Sequence, residues 1–265
     1  GVDDHAVVES LSDKVDNSPL TVMGWFKSTS NGEPDIYYEG IMGFRNYPNV
    51  DGGFFATMSW TGYSTPTLEI YGGAPVNIEL SPDPESWYHL AISTDGVNVT
   101  SYLNGNQMNS NSLISDPISS SIDFLMGNNI ENGDHFFKGI LNDVSIWKQF
   151  MSEQDIQFFL ENPILGNENN LVALYKFNAA NGDILYDHSG NQNHGTIIGA
   201  SWEEISEGCL DPLALNSAGL AELDDGSCEY PDNGNYVLSF DGLDDYVDIS
   251  SIEGGLQNFS YSGWF

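Results

Sequence analysis

Trp87-Tyr88-His89-Leu90-Ala91-Ile92-Ser93-Thr94-Asp95-Gly96-Val97-Asn98-Val99-Thr100-Ser101-Tyr102-Leu103-Asn104-Gly105 spells a β-hairpin in residue types alone. Two runs of aromatic, aliphatic and β-branched residues, 87–94 and 97–103, are punctuated by Asp95-Gly96 and Asn104-Gly105. Those dipeptides tolerate the positive φ angles of tight hairpin turns. Working outward, residues 20–27, 36–45, 53–60, 67–71, 121–126, 136–148 and 171–177 also alternate or bunch apolar residues between Gly, Asn and Pro. Such runs are strand signals. One helix is expected, where Ser152-Glu153-Gln154-Asp155 forms a capping box ahead of Ile156, Phe158, Phe159 and Leu160, stopped by Asn162-Pro163. Many short strands and one small helix predict an all-β, two-sheet antiparallel jelly-roll sandwich.

The chain also repeats itself. Gly1-Val2-Asp3-Asp4 leads to Gly24-Trp25-Phe26, and Gly242-Leu243-Asp244-Asp245 leads to Gly263-Trp264-Phe265, about 240 residues later. The expected organisation is a β-sandwich over 1–205, an acidic connector over 206–235, and the opening strands of a second repeat over 236–265. A strand equivalent to 236–241 does not precede the first repeat here, which predicts an open sheet edge. A neighbouring repeat or a copy of the chain could fill such an edge by strand addition.

Charge excludes some partners. Six Lys plus Arg stand against 39 Asp plus Glu, a formal net charge of -33, and no Lys or Arg follows Lys176. Such a surface repels nucleic acid and anionic membranes, which need basic residues to neutralise phosphate. No apolar run is long enough to span a bilayer. The only cysteines, Cys209 and Cys228, lie close together with no His nearby for a zinc site. Their closeness favours a disulfide and an extracellular, oxidising compartment, with two free thiols as the plainer alternative.

Several segments resemble one family. Ser239-Phe240-Asp241-Gly242-Leu243-Asp244-Asp245-Tyr246-Val247 resembles the opening strand of laminin-G-like domains in the concanavalin A-like lectin/glucanase superfamily. The central hairpin is similar, as are Phe137 to Trp147 with Met151 to Ile156, and Leu171 to Phe177 with Asp187 to Gly195. The segment Gly208-Cys209 to Ser227-Cys228 resembles small Cys- and Asp-containing repeats between domains of large secreted proteins of Bacteroidota. Leu215 stands where that pattern has a further Cys, which leaves an even pair.

Three chemistries are expected on these grounds. Calcium wants six to eight oxygens on a flexible loop. The stretch 203–232 supplies nine acids and no base, with Asp211, Asn216, Asp224 and Asp225 as expected ligands. Turn-forming is the competing role for those residues. The family resemblance implies a further structural calcium at Asp143, with Asp241 serving the next repeat. Asp187, Asn191 and Asn193 form a polar Gly-rich loop, more in keeping with a turn than a ligand site. For glycans, Arg45, Tyr47, Asn49, Asp51 and Trp60 combine aromatic faces with planar polar groups. No glucanase-like pattern of carboxylates at alternate strand positions occurs, so no enzyme activity is expected. Two roles are consistent with this: a calcium-stabilised adhesive or fibre-forming repeat of a surface protein, or a carbohydrate-binding module attached to an exported enzyme.

Overall fold

The computed structural model describes residues 3–15, 19–29, 38–45, 53–61, 65–71, 76–79, 86–112, 118, 121–128, 135–219, 221–224, 226–231 and 246. In chain order its elements are β1 (His5–Val8), α1 (Ser12–Val15), β2 (Leu20–Ser28), β3 (Tyr38–Arg45), β4 (Gly53–Thr61), β5 (Thr65–Tyr71) and β6 (Val76–Glu79). Then come β7 (Trp87–Thr94), β8 (Asn98–Leu103), β9 (Asn106–Ser112), β10 (Phe124–Met126), β11 (Gly139–Trp147), α2 (Glu153–Glu161), β12 (Leu171–Tyr175), β13 (Ile184–Leu185) and β14 (Gly195–Ile198). One sheet has the order β13-β14-β1-β10-β3-β4-β5-β6, the other β12-β11-β2-β7-β8-β9. This is the expected antiparallel sandwich.

The central hairpin forms by the turn chemistry its residues carry. Asp95 Oδ1 accepts the backbone N–H groups of Val97 and Asn98, both at 2.7 Å, while Gly96 takes φ 89°. Those donors hold the Asp95 carboxyl below the usual range. At the next turn Asn104 and Gly105 both have positive φ, 49° and 78°, as a two-residue connection between β8 and β9 demands. Asn104 also reaches back to β7: its Oδ1 accepts the His89 N–H at 2.9 Å and its N–H donates to the His89 carbonyl at 2.8 Å.

Alternation along the strands makes two apolar layers. Val22, Phe26, Leu90, Ile92, Val144 and Ile146 point between the sheets, where Phe44 and Phe124 meet edge to face at 4.9 Å. Met23, Ala91, Trp147 and Leu174 point the other way and are covered by α2 through Ile156 and Phe159. The expected capping box is present at Ser152 and Asp155.

Three expectations change: besides the expected helix, now α2, a second short helix, α1, forms over Ser12–Val15. The 121–126 and 136–148 runs shorten to β10 and β11. Strand addition beside β1 has no free edge to use, because β10 and β14, both from within 1–205, flank it on either side. The second repeat, 236–265, lies outside the described residues apart from Tyr246.

Gly24 sets how closely β2 meets β11. A Cβ there would stand 2.7 Å from Val144 Cγ2 and 3.1 Å from Val144 Cα. Gly24→Ala is therefore expected to destabilise the domain by about 1–3 kcal/mol. The check is the midpoint of urea unfolding, which should fall at unchanged slope. A variant as stable as the parent would mean this contact is looser than described.

Candidate functional site

β2 and β7 run side by side, and the side chains that leave the inter-sheet core open onto one outer face. Met23 and Ala91 lie under α2; two residue pairs further along, on the same face, are Trp25 and His89, partners in register. Their rings meet edge to face at 5.2 Å and 67°. Next to them β11 changes register between Asn142 and Ser145, and Asp143 takes φ 46°. Bulges of this kind redirect side chains. Asn142 Nδ2 sits 3.5 Å from Asp143 Oδ2 and 3.3 Å from Glu207 Oε1, so one amide touches both carboxylates.

The connector closes the far side. Lys27 Nζ pairs with Glu222 Oε2 at 2.7 Å and lies 5.7 Å over the Trp87 ring. The Cys209–Cys228 disulfide is formed, with Cα atoms 4.8 Å apart. Cys209 and Leu223 are buried. Sheet, helix end and connector enclose a cavity of about 310 Å³ lined by Trp25, His89, Asp143, Lys176, Glu207 and Asp224, among others. That volume lies at the lower end of small-ligand sites. A second cavity of about 320 Å³, near His5, is lined by apolar side chains such as Phe177 and Trp202 together with polar ones such as Asp4, Lys138, Asn142 and Glu203.

Electrostatics single out two of the lining groups. Burial, then the Glu207 carboxylate, push the Asp143 carboxyl up to about 6, while Lys176 acts in the opposite direction. Burial lowers His89 to about 3, so its ring is neutral at ordinary pH. His89 is 5% exposed, and its Nδ1 has no hydrogen-bond partner among the described residues. A buried polar atom left unpaired is costly and uncommon.

The expected site residues fall in several places. Asp143 and Asp224 come to the same cavity. Asp211 Oδ1 accepts the Leu213 N–H at 2.8 Å and its Oδ2 accepts the Tyr230 hydroxyl at 2.7 Å. Asn216 spans to the Ser227 carbonyl and the Glu229 N–H, and Asp224 Oδ1 accepts the Gly226 N–H at 3.1 Å. The Asp211–Leu213 and Asp224–Gly226 bonds form turns, whereas those to Ser227, Glu229 and Tyr230 tie the two ends of the connector together. Among the described residues no three His, Cys, Asp or Glu side chains form a group that could hold a metal ion. Asp225, Asp241, Tyr47, Asn49 and Asp51 lie outside the described residues, as do the side chains of Arg45 and Trp60. Asp187 is buried and accepts the Leu174, Ser189 and Asn193 N–H groups, while the Asn191 and Asn193 amides donate to the Val172 carbonyl. That loop braces the end of β12. Trp25, His89 and Glu207 are site residues that the sequence reading did not pick out. The alternation of β7 against β2, and the recurrence of Trp25 as Trp264, were the available signals.

Residues 1–157 match the family model of the concanavalin A-like lectin/glucanases superfamily. No curated protein matches the chain. Among solved structures, a candidate carbohydrate binding protein from Bacteroides ovatus aligns over 75% of this chain with a TM-score of 0.56 and 18% identity. The chain spans 58% of that structure's length. A heptameric SAP-like pentraxin from Limulus polyphemus aligns over 59% of this chain and 75% of its own, at TM-score 0.45 and 16% identity. Domain 4 of an extracellular arabinanase from Geobacillus stearothermophilus, solved with arabinotriose, aligns over 53% of this chain and 66% of its own, at 0.39 and 19%. The first shares the fold; the other two are too distant to carry an argument.

The raised Asp143 carboxyl makes a pH prediction. A folded-state value near 6 against an ordinary 3.8 means the fold favours the protonated form. That contribution is complete below about pH 4 and is lost as pH rises through 6. Asp143→Asn keeps a residue tolerant of positive φ. It is expected to be more stable than the parent by on the order of 2 kcal/mol near pH 7.5, after discounting for partial exposure. The difference should close near pH 4. Thermal unfolding of both proteins across pH checks this, and a less stable Asn variant at pH 7.5 would refute it.

Proposed function

We propose, for a chain that belongs to the concanavalin A-like lectin/glucanase superfamily, the role of a non-catalytic carbohydrate-binding module in an exported protein. The observation that carries this reading is the cavity between the six-stranded sheet, α2 and the connector. It offers an aromatic face, Trp25, beside a neutral imidazole, four carboxylates and the Asn178 amide. A sugar presents an apolar ring face and a belt of hydroxyls, and is bound by this pairing of aromatic surface with planar acceptors and donors. The disulfide supports an oxidising compartment. The other role, a repeat of an adhesive surface protein, draws its support from the recurrence of 1–26 in 242–265, and the two readings combine if glycan-binding repeats stand in series.

Trp25→Ala is the direct test. Screened against an array of oligosaccharides, the parent is expected to bind at least one class. The variant should lose that binding by about tenfold or more while unfolding at a similar temperature. Retained binding by the variant would place any glycan site elsewhere.

We also propose structural stabilisation by calcium, supported by the net charge of -33 and by the acid-rich connector rather than by a formed ligand set. Cations that bind only the folded state raise its stability by mass action. The unfolding midpoint is expected to fall when calcium is replaced by a chelator at fixed ionic strength. An unchanged midpoint would reduce the acidic surface to a role in solubility.

A further inference from the structure

The cavity's charge is lopsided. Four carboxylates line it, Asp143 from β11, Glu161 from the end of α2, and Glu207 and Asp224 from the connector; Lys176, just past β12, is the single lining cation among the described residues. His89 from β7 adds no charge, being neutral. Within a chain of net charge -33, such a recess holds a negative potential that low-dielectric walls concentrate. An acidic sugar would be repelled. A neutral sugar would leave the excess of carboxylates unmatched.

What completes the site is a cation, and its chemistry is constrained. A compact hard ion requires six to eight oxygens close by, and the described carboxylates do not converge three at a time. An ammonium group asks for less: three N–H donors, two carboxylates within reach, and an aromatic face. Asp143 and Glu207 are spaced to flank one nitrogen, since the Asn142 amide already contacts both, and Trp25 lies on the adjoining strand in register with Asn142. An independent observation points to a ligand with polar groups as well. His89 is buried against this cavity with Nδ1 unpaired among the described residues.

We propose that the cavity binds an amino sugar, with its free ammonium between Asp143 and Glu207, its ring against Trp25 and its hydroxyls toward His89. The assignment rests on the carbohydrate reading above and narrows it to one charge class. Lysine side chains carry the same ammonium, but they lack the ring that the aromatic wall accommodates.

Isothermal titration of the intact chain at neutral pH, with three probes, tests this. They are a β-linked glucosamine tetramer, its fully N-acetylated counterpart, and Nα-acetyl-lysine amide. The free-amine tetramer is expected to bind about tenfold or more tighter than the N-acetylated one, and to weaken steeply with salt. In Asp143→Asn combined with Glu207→Gln, that preference should shrink to about threefold or less. Circular dichroism confirms that the double variant is folded. Equal binding of the two tetramers, or a preference untouched by the double variant, overturns the amino-sugar assignment and leaves the broader carbohydrate reading standing. Lysine amide binding as tightly as the sugar overturns the assignment to a saccharide. If neither tetramer binds and the oligosaccharide array is also blank, both readings fall together.

Discussion

The break in register of β11 is the constraint on which much of the molecule turns. This strand pairs with β2 along its whole length and with β12 over its second half only. It therefore has to serve the inter-sheet core and the outer face at once. The extra residue at Asp143, at φ 46°, lets Val144 drop into the core beside Gly24 while Asn142 and Asp143 stay together near the outer surface. A regular strand would alternate them. The same irregularity that permits tight packing on one side thus places a carboxylate, poorly solvated, on the other. Positions held at some cost to stability are where sites are commonly found.

The connector is the second determinant. Its acidity alone would fit a plain spacer between repeats. Instead it is fastened at several points: to β2 by the Lys27–Glu222 pair, to β11 through Asn142 and Glu207, and internally by the disulfide. Its Leu223 is buried and lines the cavity. The cavity is a joint product of domain and connector, so neither piece can be assigned the site alone.

Much of the sandwich was legible in the sequence because its central strands carry strong, regular apolar patterns bounded by Gly and Asn. The runs assigned to β2, β7, β8 and β12 match those strands nearly to the residue, and the capping box of α2 was plain. The strands that escaped notice are short or polar. β9 reads Asn-Gln-Met-Asn-Ser-Asn-Ser and is almost wholly exposed, so it has no buried face to write a period of two. β14 exists through its pairing with β1, a contact between residues about 190 apart, and β13 through its pairing with β14. The site was half legible. Asp143 was named from resemblance and Asp224 from local acidity, yet their meeting in one recess depends on how the connector folds back. His89 gave no signal by itself, because a histidine in an apolar strand points inward or outward only once its partner strand is known.

A last consequence concerns load. The half-cystines are 19 residues apart in sequence but their Cα atoms are 4.8 Å apart. Chain between them, if drawn taut, would span roughly 60 Å. When tension is applied across the connector, that slack stays locked until a covalent bond breaks, whereas the ion pair and amide contacts that seat the connector on the sheet can yield and re-form. The recess would then open before the chain lengthens appreciably, so mechanical strain and ligand occupancy would oppose one another.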